Sequence, residues 1–98
     1  MTTSRSPRST LSRFARLKAQ AEGIAAAVKA AERGEKIDIR FAEKIEAARS
    51  KESLKIGIAM DDKVIILEMP WTTIREASEA GLAEYILKQM LGKRETLN

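Results

Sequence analysis

An alternating run near the middle of the chain constrains the fold more than any other feature. Apolar residues occupy every second position from 54 to 60, between polar or small residues, which is the period of a β-strand. These apolar residues are Leu54, Ile56, Ile58 and Met60. A turn signal, Asp61-Asp62-Lys63, comes next, and apolar residues fill positions 64–67. The pattern predicts a β-hairpin from Ser53 to Met69.

The second strand of this hairpin is apolar on both faces. Strands with that pattern are normally covered on both sides, and two strands alone are only marginally stable. The last helix can cover one face, but the other face needs either another helix of the same chain or a second subunit. Because closed two-fold dimers are the commonest oligomers, we predict a homodimer.

A long first helix is predicted from Ser9 or Thr10 to Arg33, with Gly34 as its C-terminal glycine. Its apolar residues recur alternately three and four positions apart, which is a heptad stripe. The stripe consists of Phe14, Leu17, Ala21, Ile24, Val28 and Ala31. It fits either packing against the chain's own core or pairing with the same helix of a second subunit.

Residues 36–41 fit two structures, because they alternate as in a strand but also continue a helical face. The strong helix formers in FAEKIEAAR favour a short second helix from Asp38 to Lys51. After Pro70, Thr73 and Glu76 match a capping box for a last helix that ends near Gly92, and Gly81 is a point where that helix can divide. We therefore predict an α+β fold with a long N-terminal helix, a short helix, a β-hairpin and a C-terminal helix.

Composition argues against an enzyme. The chain has no Cys and no His, which removes the thiolate nucleophile, the commonest general base and the usual zinc ligands. Its five glycines are dispersed and form no phosphate-binding loop. The adjacent carboxylates of Asp61 and Asp62 are typical of a solvated turn. We predict a non-enzymatic protein without a cofactor or a metal.

Positive charge is concentrated at the N-terminus. Of 18 basic residues, five lie in residues 1–18, which contain no acidic residue, whereas residues 19–98 hold 13 basic and 14 acidic residues. The five are Arg5, Arg8, Arg13, Arg16 and Lys18. We predict a disordered basic arm over residues 1–9, a single domain over residues 10–92 and a frayed C-terminus over residues 93–98.

Two functions follow from these features. The first is a small regulatory protein, dimeric and cytoplasmic, that contacts DNA through the five basic residues, because arginines release counterions from phosphates. The second is a protein-binding adaptor or inhibitor that docks a partner through the first helix or the Trp71 corner. Its candidate contacts are Phe14, Leu17, Ile24, Val28 and Trp71. The alternative for the basic arm is a solubilising tail that has no partner. No apolar run reaches the roughly 18 residues of a membrane span, so we predict no membrane partner.

The segment from Val64 to Met90 resembles the ribbon-helix-helix repressors in its order of strand, proline, helix, glycine and helix. Two features differ from that family. The strand offers apolar side chains where the family presents polar groups to the major groove, and the chain is predicted to form its own hairpin. We therefore assign no family and transfer no residue roles.

Overall fold

The computed structural model describes the backbone of residues 5–60 and 63–96, and the side chains of residues 13–60 and 63–92. The elements in chain order are α1 (Arg5–Glu32), β1 (Lys44–Arg49), β2 (Ser53–Met60), β3 (Lys63–Pro70), α2 (Trp71–Glu76) and α3 (Glu79–Thr96). The three strands form one antiparallel sheet in the order β1-β2-β3. The predicted α+β class is confirmed.

The predicted hairpin is present as β2 and β3. Their register runs from the pair Ser53 and Pro70 to the pair Met60 and Lys63. Lys63, which we assigned to the turn, is the first residue of β3, while residues 61 and 62 of that predicted turn lie outside the described residues.

The predicted short helix from Asp38 to Lys51 is wrong. Residues 44–49 form β1, which pairs with β2 from Lys44 opposite Ala59 to Arg49 opposite Leu54. The helix formers in this segment are outweighed because pairing as a strand satisfies the second edge of β2 and makes β2 the centre of the sheet. Local propensity is worth only tenths of a kcal/mol per residue, and such tertiary contacts routinely override it.

The hydrophobic core lies between one face of the sheet and the helices. From the sheet it contains Leu54, Ile56, Ile58, Met60, Leu67 and Met69, which are all buried. The helices contribute Ile24 and Val28 from α1, Ile74 from α2, and Leu82, Ile86 and Met90 from α3. These residues form one cluster, so the helices cover the face of the sheet that the alternating residues of β2 present.

The opposite face of β3 is not covered by the residues that the structure describes. Val64 is 70% exposed and Ile66 is 46% exposed. The expectation that both faces of this strand are covered is therefore not met by the single chain. The reason is topological, because α1 and α3 both contribute to the one core on the other side of the sheet.

The C-terminal region forms two helices, and the division falls at residues 77 and 78 instead of at Gly81. The predicted capping box is wrong, since α2 begins directly after Pro70 and has no side-chain cap. Ser78 caps α3 instead, because its Oγ accepts a hydrogen bond from the backbone N–H of Gly81 at 3.0 Å. The predicted stop at Gly92 is also wrong, as α3 continues to Thr96.

The two ends of α1 differ in how well the sequence predicts them. Its C-terminus has the predicted glycine: Gly34 has a φ of 90°, and the N–H groups of Gly34 and Glu35 donate to the carbonyls of Ala31 and Ala30. Its N-terminus lies at Arg5, so residues 5–9 of the predicted arm belong to the helix. Pro7 is compatible with this because it falls in the first turn, where an N–H group is not needed.

We expect Gly34→Ala to destabilise the protein by about 1 kcal/mol. An added Cβ at this position meets no atom within 4 Å, so the penalty is the left-handed backbone alone. Urea unfolding followed by circular dichroism measures the effect. Gly92→Ala is the matched control, because Gly92 also has open space around it but lies within α3, where alanine is favoured. Equal loss of stability in both variants would contradict the assignment of this helix end.

Candidate nucleic-acid interface

The helix α1 has an exposed N-terminal part and a buried C-terminal part. From residue 20 to residue 31, its inward side chains are buried in the core: Gln20, Ala21, Ile24, Ala25, Ala27, Val28 and Ala31. The preceding residues 13–16 are all exposed. Because four consecutive residues complete a helical turn, this turn is exposed on every side. We call residues 13–19 of α1 the projecting part.

The shape of the molecule agrees with this division. A helix of 28 residues is about 42 Å long at 1.5 Å per residue. The molecule extends 52 Å along its longest axis but only 26 and 25 Å along the other two. The N-terminal part of α1 therefore extends beyond the sheet and the other helices.

Three of the predicted nucleic-acid contacts lie on this projecting part. Arg13, Arg16 and Lys18 are exposed. Arg5 and Arg8 belong to the backbone of α1, but their side chains lie outside the described residues. The first acidic residue of the chain is Glu22, so the sequence up to that point carries positive charge only.

Three basic residues on the rest of the molecule have an acidic neighbour. Ion pairs between described residues at its surface join Arg33 with Glu35 at 3.3 Å, Lys44 with Glu46 at 3.4 Å, and Arg75 with Glu32 at 3.2 Å. Exposed pairs of this kind contribute little to stability, but they partly cancel the local field. The N-terminal part of α1 thus carries the net positive charge that an acidic polymer would meet first.

The structure separates the predicted protein-contact residues instead of bringing them together. Ile24 and Val28 are fully buried in the core of their own chain. Leu17 is partly buried against that core, and Phe14 is 51% exposed. The heptad stripe is therefore used mainly within the chain, and it leaves Phe14 as its large exposed member.

Trp71 lies at the corner between β3 and α2, partly buried against the core. Its indole Nε1 donates a hydrogen bond to the carbonyl of Ser50 at 2.8 Å, and its backbone N–H donates to the carbonyl of Glu52 at 3.0 Å. The guanidinium carbon of Arg49 lies 5.7 Å from the centre of the ring, within cation–π range. These contacts bind the corner to the loop between β1 and β2.

The interior offers no further candidate site in the part of the chain that the structure describes. Every buried side-chain nitrogen or oxygen atom there has a hydrogen-bond partner. Among the same residues, no three carboxylates are close enough together to hold a metal ion. None of the described helices combines the length and the apolar character needed to cross a membrane.

Sequence reasoning indicated a further surface on the second strand of the hairpin but not all of the residues that form it, and we call this surface the open face. It consists of the outward side of β2 and β3, with Lys55, Gly57, Ala59, Val64, Ile66 and Glu68. The apolar residues of β3 signalled an uncovered strand. Which residues of β2 lie beside them is fixed only by the register, and the register places the smallest residues of β2, Gly57 and Ala59, next to the β-branched Ile66 and Val64 of β3.

Comparison with protein-family models, with curated proteins and with solved structures found no match for this chain. The exposed basic part of α1 and the open face of the sheet are therefore the two features from which we infer a function.

Proposed function

We propose that this chain is a small, non-enzymatic regulatory protein of the cytoplasm that contacts DNA as a homodimer. The contact is made by Arg5, Arg8, Arg13, Arg16 and Lys18 of α1. One observation carries the proposal: α1 extends past the core as a turn exposed on all sides, and it carries positive charge only as far as Glu22.

The chemistry of this contact is mainly electrostatic. Each cation that neutralises a phosphate releases a condensed counterion, so affinity falls steeply with salt concentration. A helix that projects on its own is also the shape that the major groove admits, since that groove is about 12 Å wide. Phe14 is the single aromatic residue among the arginines of this segment, whereas a platform for stacking single strands uses successive aromatic residues, so the segment favours contact with the backbone of a duplex.

The salt dependence of DNA binding tests this function. We expect the variant Arg13→Gln, Arg16→Gln, Lys18→Gln to bind a random duplex more weakly at low salt. The slope of log K against log salt should become shallower by about 0.9 for each phosphate that the variant no longer neutralises. Glutamine preserves helix propensity, so the backbone of α1 is retained. Fluorescence anisotropy with a labelled duplex across a salt series measures both quantities.

A charge-matched control separates a local contact from net charge. Lys36, Lys51 and Lys88 are exposed and lie outside the projecting part, so replacing all three by Gln removes the same charge. We expect that control to keep the wild-type slope. An equal weakening of binding in the two variants, or no duplex binding by the wild type at low salt, would contradict DNA contact through α1.

A second candidate function, docking of a protein partner, is favoured by the exposure of Phe14. An aromatic side chain that is half exposed on a projecting helix is suited to an apolar pocket. Affinity purification from cell extract after nuclease treatment tests it. Under this function, a captured protein is retained by the triple glutamine variant but is absent with Phe14→Ser. Loss of all captured protein on nuclease treatment would contradict it.

A further inference from the structure

We propose that a second copy of this chain docks on the open face, related by a two-fold axis that runs parallel to the strands midway between β2 and β3. This inference rests on the dimeric state in the proposed function and specifies the surface that forms it. It does not depend on DNA contact.

The register of the hairpin pairs the residues of the open face across its two strands. Val64 lies beside Ala59, Ile66 beside Gly57, and Glu68 beside Lys55. A two-fold axis that runs parallel to β2 and β3, midway between them, brings β2 of the second copy over β3 of the first, and β3 of the second copy over β2 of the first. Each outward residue of β3 then faces a residue of β2 in the second copy, namely the one that it pairs with in its own hairpin.

Shape is complementary in this arrangement. Val64 and Ile66 are β-branched and project from the sheet, with 70% and 46% of their surfaces exposed. The positions that they would cover in the second copy are Ala59 and Gly57, which are among the smallest side chains of the sheet. Two facing sheets pack about 10 Å apart, and interdigitation of large with small residues is the usual way to fill that gap.

Charge is complementary in the same arrangement. The next pair of the register is Lys55 and Glu68, which are both exposed. Exchange of the columns lays each Glu68 over the Lys55 of the second copy, so two opposite-charge contacts form around the axis. The hydroxyl of Ser53 lies 3.3 Å from a carboxylate oxygen of Glu68 and holds that side chain at this end of the face.

Other symmetric arrangements of the same face are less favourable. An axis that runs along β2 places Lys55 over Lys55 of the second copy, which brings like charges together. An axis perpendicular to the strands and centred on Ile66 places Glu68 over Val64, which desolvates a carboxylate against an apolar residue. The axis between β2 and β3 avoids both, and it leaves the Lys44 and Glu46 ion pair of β1 at the rim.

Gly57→Val is the single substitution that tests the open-face dimer most directly. A Cβ added there has the carbonyl oxygen of Glu46 as its nearest neighbour at 3.9 Å, which is ordinary van der Waals contact. Gly57→Val therefore keeps the folded monomer and suits a strand, but it fills the space that Ile66 of the second copy would occupy. We expect its dimer dissociation constant, measured by sedimentation equilibrium, to rise by about tenfold or more, while its melting temperature at monomeric concentrations does not fall.

Two charge-reversal variants, tested alone and as a mixture, identify the position of the two-fold axis. Lys55→Glu alone places acid over acid in its homodimer, and Glu68→Lys alone places base over base. A mixture of the two variants forms a heterodimer in which both contacts are again between opposite charges. We expect each variant alone to be mainly monomeric and the mixture to dimerise. The neighbours within each chain are unchanged by mixing, so their interaction cannot produce this recovery.

The outcomes separate this inference from the proposed function. A wild-type chain that sediments as a single species near 10.9 kDa from micromolar to submillimolar concentration overturns both the open-face dimer and the dimeric state. A dimer that Gly57→Val leaves intact, or a mixture that shows no recovery, overturns the open-face dimer and leaves the dimeric state standing on another surface. DNA contact is decided separately by the salt series.

Discussion

Replacing Ile56 with aspartate is expected to unfold the protein. Ile56 is fully buried at the centre of β2, between the neighbouring strands and beneath the helices. An ionised carboxylate there has no partner, and its burial costs several kcal/mol. A domain of this size is stable by only about 5–15 kcal/mol, so most or all of the folded state is lost. Circular dichroism and a thermal melt measure the loss.

Ile66→Asp is the matched control, with the same change on the opposite face of the same sheet. Ile66 is 46% exposed, so the new carboxylate stays hydrated and the folded monomer should be retained. The comparison is made at concentrations where the chain is monomeric, since the open-face dimer would not form in this variant. If both variants unfold, or if neither does, the assignment of the two faces of the sheet is wrong.

Shortening Ile24 to alanine is expected to lower the free energy of unfolding by about 2–5 kcal/mol, because it leaves a cavity in the core. Ile24 is fully buried among residues of its own chain. The loss of stability should therefore be the same at every protein concentration. Urea unfolding at several concentrations measures it.

Phe14→Ala on the same helix is the control. Phe14 belongs to the same heptad stripe but is 51% exposed, so we expect a change of less than about 1 kcal/mol. Comparable losses of stability from Ile24→Ala and Phe14→Ala would instead identify the heptad stripe as the interface of a helical dimer. In that case both variants would be less stable, and each would also raise the dimer dissociation constant measured by sedimentation equilibrium, which the open-face dimer does not predict.

The sequence was informative wherever the structure depends on local chemistry. The alternation of Leu54, Ile56, Ile58 and Met60 has only one regular structure that buries it, and the hairpin follows. Gly34 ends α1 as predicted, since a glycine there permits the left-handed backbone of the C-terminal turn. The concentration of basic residues before Glu22 is likewise a property of the sequence.

The errors arose where two local preferences were close in energy. Residues 44–49 are good helix formers, yet they form β1, because the unpaired edge of β2 was available to them. Thr73 and Glu76 have the spacing of a capping box, but Pro70 allows α2 to begin at Trp71, and Ser78 provides the cap of the next helix. Differences of a few tenths of a kcal/mol are smaller than the contacts that a sheet edge or a buried face supplies.

The residues of the chain thus fix its class, its central hairpin, the end of its first helix and the place of its charge, because each depends on neighbours in sequence. Only the tertiary structure decides that residues 20–31 of α1 are buried while residues 13–16 project, and that Val64 and Ile66 lie beside Ala59 and Gly57 on an uncovered face. Both depend on which side of the sheet the helices occupy and on the register of β2 with β3. The side that the helices occupy is set by contacts between distant segments, and the register is set by pairing across two strands, so a periodic pattern along the chain encodes neither.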